Sequence, residues 1–206
     1  MGDSKIDKDL QLYCILMNEV KRRTLAITQI LQGVSTTSYK VTNIELMCLQ
    51  IRKILELISM GSLVVNQEEF EAIGKKYAQY WNARLILQDI ERLNPDFYPI
   101  AIQEVPSKRP GVSNDLQIKT AGFLTRKDFI KVYEKCGKMM HASNPFGSQS
   151  DFDYYSSMIP EWEDLIIGLL NSHLIHLKGV EGFYLIHMQE NGREDVHGYY
   201  FEKIQE

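Results

Sequence analysis

Cysteine is scarce in this chain of 206 residues: Cys14, Cys48 and Cys136 are the only three, and no two stand in CxxC spacing. That pattern implies neither a disulfide framework nor a cysteine zinc site. Each cysteine falls at an apolar helical position and is expected to act as a small core hydrophobe in a reducing compartment. Long apolar runs are missing too. The richest, "LIIGLLNSHLIHL" from Leu165 to Leu177, is broken by Gly168, Asn171, Ser172 and two histidines. It falls short of the ~18 uninterrupted apolar residues that suggest a membrane span. The N-terminus "MGDSKIDKDLQLYC" has no apolar signal core, so the expectation is a soluble cytoplasmic protein with no membrane partner. No Walker loop, GxGxxG, GxSxG or HExxH occurs, which removes the common nucleotide, serine-hydrolase and zincin signatures. Neither an internal repeat nor a low-complexity tract is present.

What is present is an uneven charge map. The net charge of −4 conceals a segment, residues 108 to 138, with eight basic residues against three acidic, a net of +5. Residues 139 to 206 carry three basic against eleven acidic, a net of −8. A polyanion is expected to meet the middle segment first.

Apolar spacing predicts helices. Ile6, Leu10, Tyr13, Met17, Val20, Thr24, Ile27 and Leu31 alternate steps of four and three over about seven turns, with Ser4 as a cap and Gly33 as the stop. A second seam runs through Ile44, Cys48, Ile51, Leu55, Ile58, Ser62 and Val65. Its helix carries further apolar residues off the seam, which makes it the candidate central helix. Asn66 to Leu93 reads as a third helical stretch, with Phe70, Ile73, Tyr77 and Trp81 on one side. Residues 94 to 124 hold Pro95, Pro99, Pro106 and Pro110 and read as a long exposed loop. Thr125 with Asp128 is a capping pair that opens another helix. Pro160 at a first helical turn predicts a last helix from there to about Lys178. Asn191-Gly192 between "EGFYLIHMQE" and "REDVHGYYFE" predicts a hairpin. The expected fold is mainly α: a helical bundle over residues 1–178 with a long proline-rich loop, and a small C-terminal β-hairpin appendage over 179–206.

The candidate site lies in "EKCGKMMHASNPFG", Glu134 to Gly147. On a helical wheel Lys127, Lys131, Lys135, Lys138 and His141 fall within an arc of about 120°, opposite Phe129, Val132, Cys136, Met139 and Met140. One reading is a solvated amphipathic helix whose last turn carries cations because the helix dipole favours them there. The other is a phosphate-tracking face, joined by Arg126, with a titratable imidazole at its end. On the central helix Glu45, Arg52 and Glu56 form one narrow charged line. It is either an Arg52–Glu56 pair at the bundle edge or a line that faces and orients His141.

These residues resemble the HEPN domains, a family that includes metal-independent ribonucleases of toxin and antiphage systems. The family motif is Arg, four to six residues, then His. Here Lys135-CGKMM-His141 matches, with Lys in place of Arg and "ASNPF" following, so that Asn144 joins the binding set. The resemblance would cover about residues 40 to 178. It implies that His141 deprotonates a ribose 2′-hydroxyl while Lys135 or Lys138 stabilises the phosphorane charge, without metal or other cofactor. It also implies dimers, for which the first seam offers an apolar surface.

Two other readings remain. His173 and His176, with His187 and His197, invite a zinc site, but the stripe Trp162, Ile166, Leu169, His173, His176 places the first pair inside a packed helix, so no metal is expected. A non-enzymatic regulatory or interaction module would bind a protein partner through a free hairpin edge rich in Tyr and Phe.

Overall fold

A computed structural model describes residues 3–67, 82–142, 146, 151–176, 182–190 and 192–201. Among them lie five helices and five strands, in the order α1 (Asp3–Leu31), α2 (Lys40–Val64), α3 (Ala83–Leu93), β1 (Ile100–Pro106), β2 (Asn114–Ile118), α4 (Arg126–Lys138), α5 (Phe152–Leu170), β3 (Ser172–Ile175), β4 (Phe183–His187) and β5 (His197–Phe201). The strands form one antiparallel sheet in the order β2-β1-β3-β4-β5. The expected helical bundle with a small hairpin is therefore wrong: the fold is α+β, helices against a five-stranded sheet. No described helix is long and apolar enough to cross a membrane.

The helical seams behave as their spacing dictates. Tyr13, Met17, Val20 and Ile27 of α1 are buried, and so is every member of the α2 seam. Near the end of α1 the stripe drifts: Ile30 is buried and Leu31 is exposed, as expected when a helix of 3.6 residues per turn carries a 3.5-residue repeat. α2 packs against α1, α3, α4 and α5, which makes it the central helix. Tyr13, Met17, Val20 and Ile27 of the first seam are covered within the chain itself, so these residues are not open to a second copy. Of the third predicted stretch, Ala83 to Leu93 is helical, capped by the Asn82 side chain, which accepts from the amides of Arg84 and Leu85. Phe70, Ile73, Tyr77 and Trp81 lie outside the described residues.

The supposed loop of residues 94–124 holds β1 and β2, which pair from Ile102↔Ile118 to Pro106↔Asn114. Its prolines bracket the strands instead of breaking them. Pro99 precedes β1, and Pro106 ends it beyond Ile100 and Ala101, the residues that pair with β3, where a missing N–H costs the sheet little. The last helix begins at Phe152, not Pro160, with Asp151 accepting from the Tyr154 amide. Pro160 sits in its interior on the exposed side. The apolar stripe Tyr155, Ile159, Trp162, Ile166 and Leu169, all buried, outweighs the one backbone bond that proline removes.

That helix stops at Leu170, eight residues before the expected end, and the chain turns at once into β3. His173 is thus a strand residue and not part of a helical stripe. It is fully buried: its Nδ1–H donates to the Leu170 carbonyl at 2.7 Å, so Nε2 accepts from the Tyr13 hydroxyl, also at 2.7 Å. The C-terminal ribbon is no separate appendage, because β4 pairs with β3 along its length. Glu190 and Arg193 form an isolated bridge around Gly192, whose φ is 82°, so the hairpin reverses where the turn signal stands.

Candidate functional site

The site is built on α4. Thr125 accepts from the Asp128 amide at 3.2 Å and donates to the Asp128 carboxylate at 2.7 Å, so the predicted capping pair starts the helix. Phe129, Val132, Tyr133, Cys136 and Met139 are buried, while Lys127, Lys131, Lys135 and Lys138 are exposed on the other face. The periodicity that separates the two faces is local, which is why the wheel finds it. The helix persists through Gly137 to Lys138, and bonds from the amides of Met139, Met140 and His141 to carbonyls three residues back carry the chain one tighter turn further.

α2 brings Arg52 to that last turn. Its Nη2 donates to the Tyr133 hydroxyl at 2.7 Å and its Nη1 to the Tyr133 carbonyl at 3.4 Å. Its Nε lies 3.3 Å from Glu56, and its plane rests over the Tyr133 ring, 4.0 Å from the centroid. The Tyr133 hydroxyl in turn donates to Glu56 at 3.3 Å. Burial pushes that hydroxyl above the usual tyrosine pKa. A guanidinium carries five N–H donors, so these contacts leave donors over. Below them the thiol of Cys136 is raised by its hydrogen bond to Cys48 and by burial.

A cavity of about 490 Å³ opens here, and Arg52, Arg84, Tyr133, Gly137, Lys138 and His141 are among its lining residues. His141 also borders a second cavity of about 500 Å³, with Glu45, Leu46 and Met139. The imidazole is exposed, and no described residue makes a hydrogen bond or ion pair to it. His141, Arg52 and Lys138 are therefore brought together, with Glu56 behind Arg52 and Glu45 on the other side of His141.

No known protein family, curated protein or solved structure matches the chain.

Other predicted site residues are placed differently. Lys131 is paired with Asp128 at 2.9 Å, and Lys135 rests on the Tyr154 ring. Arg126 is bound to Glu91 at the start of α4, about 18 Å along the helix from Lys138 by helical rise, and is not part of the cavity. Lys127 is exposed without an ion-pair partner among the described residues. Asn144 lies outside the described residues. Among those described, no three His, Cys, Asp or Glu side chains group closely enough to hold a metal ion.

Sequence reasoning missed Tyr133, Arg84 and the role of Gly137. Tyr133 falls among apolar residues on the wheel, and nothing local marks its hydroxyl as the holder of an arginine 81 residues away. Arg84 enters through α3, where it pairs with Glu134 at 2.7 Å. Gly137 reads in the sequence as a weak point of the helix, yet its missing side chain makes room for Arg52.

Proposed function

We propose that the protein is RNA-directed and that the Arg52–Lys138–His141 cavity is where it engages the ribose-phosphate backbone, as a metal-independent endoribonuclease of HEPN-like type. The observation that carries this reading is that Arg52, Lys138 and His141 line one cavity, with the arginine held by Tyr133 and Glu56. A guanidinium matches two phosphate oxygens at once, which a lysine at position 135 cannot do.

In this reading His141 takes the proton from a ribose 2′-hydroxyl. The 2′-oxygen then attacks the adjacent phosphorus, a 2′,3′-cyclic phosphate forms, and the 5′-oxygen leaves with a proton from Lys138 or water. Arg52 faces the charge that develops on the phosphorane oxygens. The toxin or antiphage setting and a homodimer belong to the same proposal through the family resemblance.

The test is incubation of the purified protein with total RNA, with and without a chelator, beside His141→Ala and Arg52→Ala. Cleavage should survive the chelator and disappear in both variants. Chelator-sensitive cleavage, or none, overturns the catalytic assignment.

One observation favours a different reading, an interaction module. β5 is an outer strand, and its Tyr200 and Phe201 are 42% and 43% exposed, which suits strand addition by a partner. Slowed amide exchange along β5 on adding a partner protein, with no RNA binding, would favour that alternative.

A further inference from the structure

On the other side of α4, against α5, runs a groove of about 430 Å³. Its α4 wall carries Lys131, Lys135 and Lys138, and its α5 wall carries Tyr154, Met158 and Trp162. Three carboxylates also border it, Asp128, Glu134 and Glu161. The first two are already bound to Lys131 and Arg84. Lys138 borders both this groove and the His141 cavity, so a chain lying across the last turn of α4 reaches both.

The ring of Tyr154 is presented as a fixed plane. It meets Tyr155 edge-on at 5.4 Å and 84°, and Trp162 at 6.3 Å and 69°. The Lys135 ammonium rests 4.6 Å from its centroid. This cation–π contact satisfies two groups that an incoming nucleotide would satisfy separately: the ammonium by a phosphate, the ring face by a base.

We propose that the α4–α5 groove takes an unpaired nucleobase on the Tyr154 face, with Lys135 and Lys138 on the flanking phosphates, so that the substrate class is single-stranded RNA. The inference rests on the RNA reading of the His141 cavity. Its physical basis is that an A-form duplex keeps its bases stacked inside and displays only backbone and shallow groove to a protein. A half-buried ring faced by Lys135 gains nothing from a duplex, whereas base stacking on an aromatic side chain contributes roughly 1–3 kcal/mol per base.

Fluorescence anisotropy of the full chain with a labelled short RNA, single-stranded and as a duplex of the same sequence, tests this. The single strand should bind about tenfold or more tighter. Tyr154→Leu should weaken the single strand about 5- to 150-fold and leave duplex binding unchanged, while Tyr154→Phe keeps wild-type affinity. Equal affinity for both forms, or a folded Tyr154→Leu variant with unaltered affinity while Lys135→Glu with Lys138→Glu abolishes binding, overturns the groove assignment and leaves the RNA reading standing. No binding of either form to the unsubstituted protein overturns both. Should Tyr154→Leu fail to fold, the ratio of the two affinities in the unsubstituted protein decides.

Discussion

The Arg52 guanidinium lies where a side chain at position 137 would have to go: a Cβ placed on Gly137 would stand 2.6 Å from Arg52 Nη1. The obstacle is the far end of a flexible side chain and not backbone, so a methyl group there displaces Arg52 instead of unfolding α4. Gly137→Ala should also gain about 1 kcal/mol of helix propensity. The expected outcome is an unchanged or raised melting temperature with RNA affinity and cleavage reduced several-fold. Unaltered affinity in a stable variant would remove Arg52 from the site.

Tyr133 is the residue that holds Arg52. Tyr133→Phe keeps the ring under the guanidinium but deletes the hydroxyl that accepts from Arg52 and donates to Glu56. Loss of these bonds should cost about 1–2 kcal/mol of stability. Activity should fall further than Arg84→Ala makes it fall, since Arg84 is paired with Glu134 and holds nothing at the centre of the cavity. Denaturant melts and cleavage rates on the two variants separate these effects.

His173 predicts a pH dependence. Burial, only partly offset by the hydrogen bond to the Leu170 carbonyl and reinforced by the neighbouring His187, pushes its pKa from 6.5 down to about 4. The unfolded chain therefore binds this proton more readily, and stability falls as pH drops from about 6.5 to 4. Above that window the contribution is intact, and below it the loss is complete at about 3 kcal/mol. Urea midpoints measured across the range should show it. Tyr13→Phe, which strips Nε2 of its donor, should lower stability at pH 7 and flatten the slope by making protonation easier. A profile identical to the parent's would contradict the neutral, Tyr13-bound ring.

Gly168 reports on the crossing that docks the chain after β2 against α5. A Cβ there would meet the Gly122 carbonyl oxygen at 1.9 Å, and the Leu124 amide donates to the Leu165 carbonyl at 2.8 Å close by. Both partners are backbone, so Gly168→Ala has no cheap relief. It should destabilise the protein by about 2 kcal/mol or more, read as a lower urea midpoint. A neutral result would mean that the crossing is looser than described.

Some of this molecule is determined by the sequence alone. The two long seams, the Thr125 cap, the lysine face of α4 and the reversal at Gly192 are all legible, because helix and turn hydrogen bonds join residues a few positions apart and impose their period on the side chains. Partner choice was not legible. β1 meets β3 through Ile100↔Leu174 and Ala101↔His173, pairs more than seventy residues apart, and a short apolar strand between prolines carries no local mark of its neighbour. The same holds for the site. A lysine and a histidine three residues apart, Lys138 and His141, stand in the sequence, but the arginine that shares their cavity comes from α2. Only the packing of α2 against α4, with a glycine at the crossing and a tyrosine to hold the guanidinium, decides that Arg52 and His141 share a cavity.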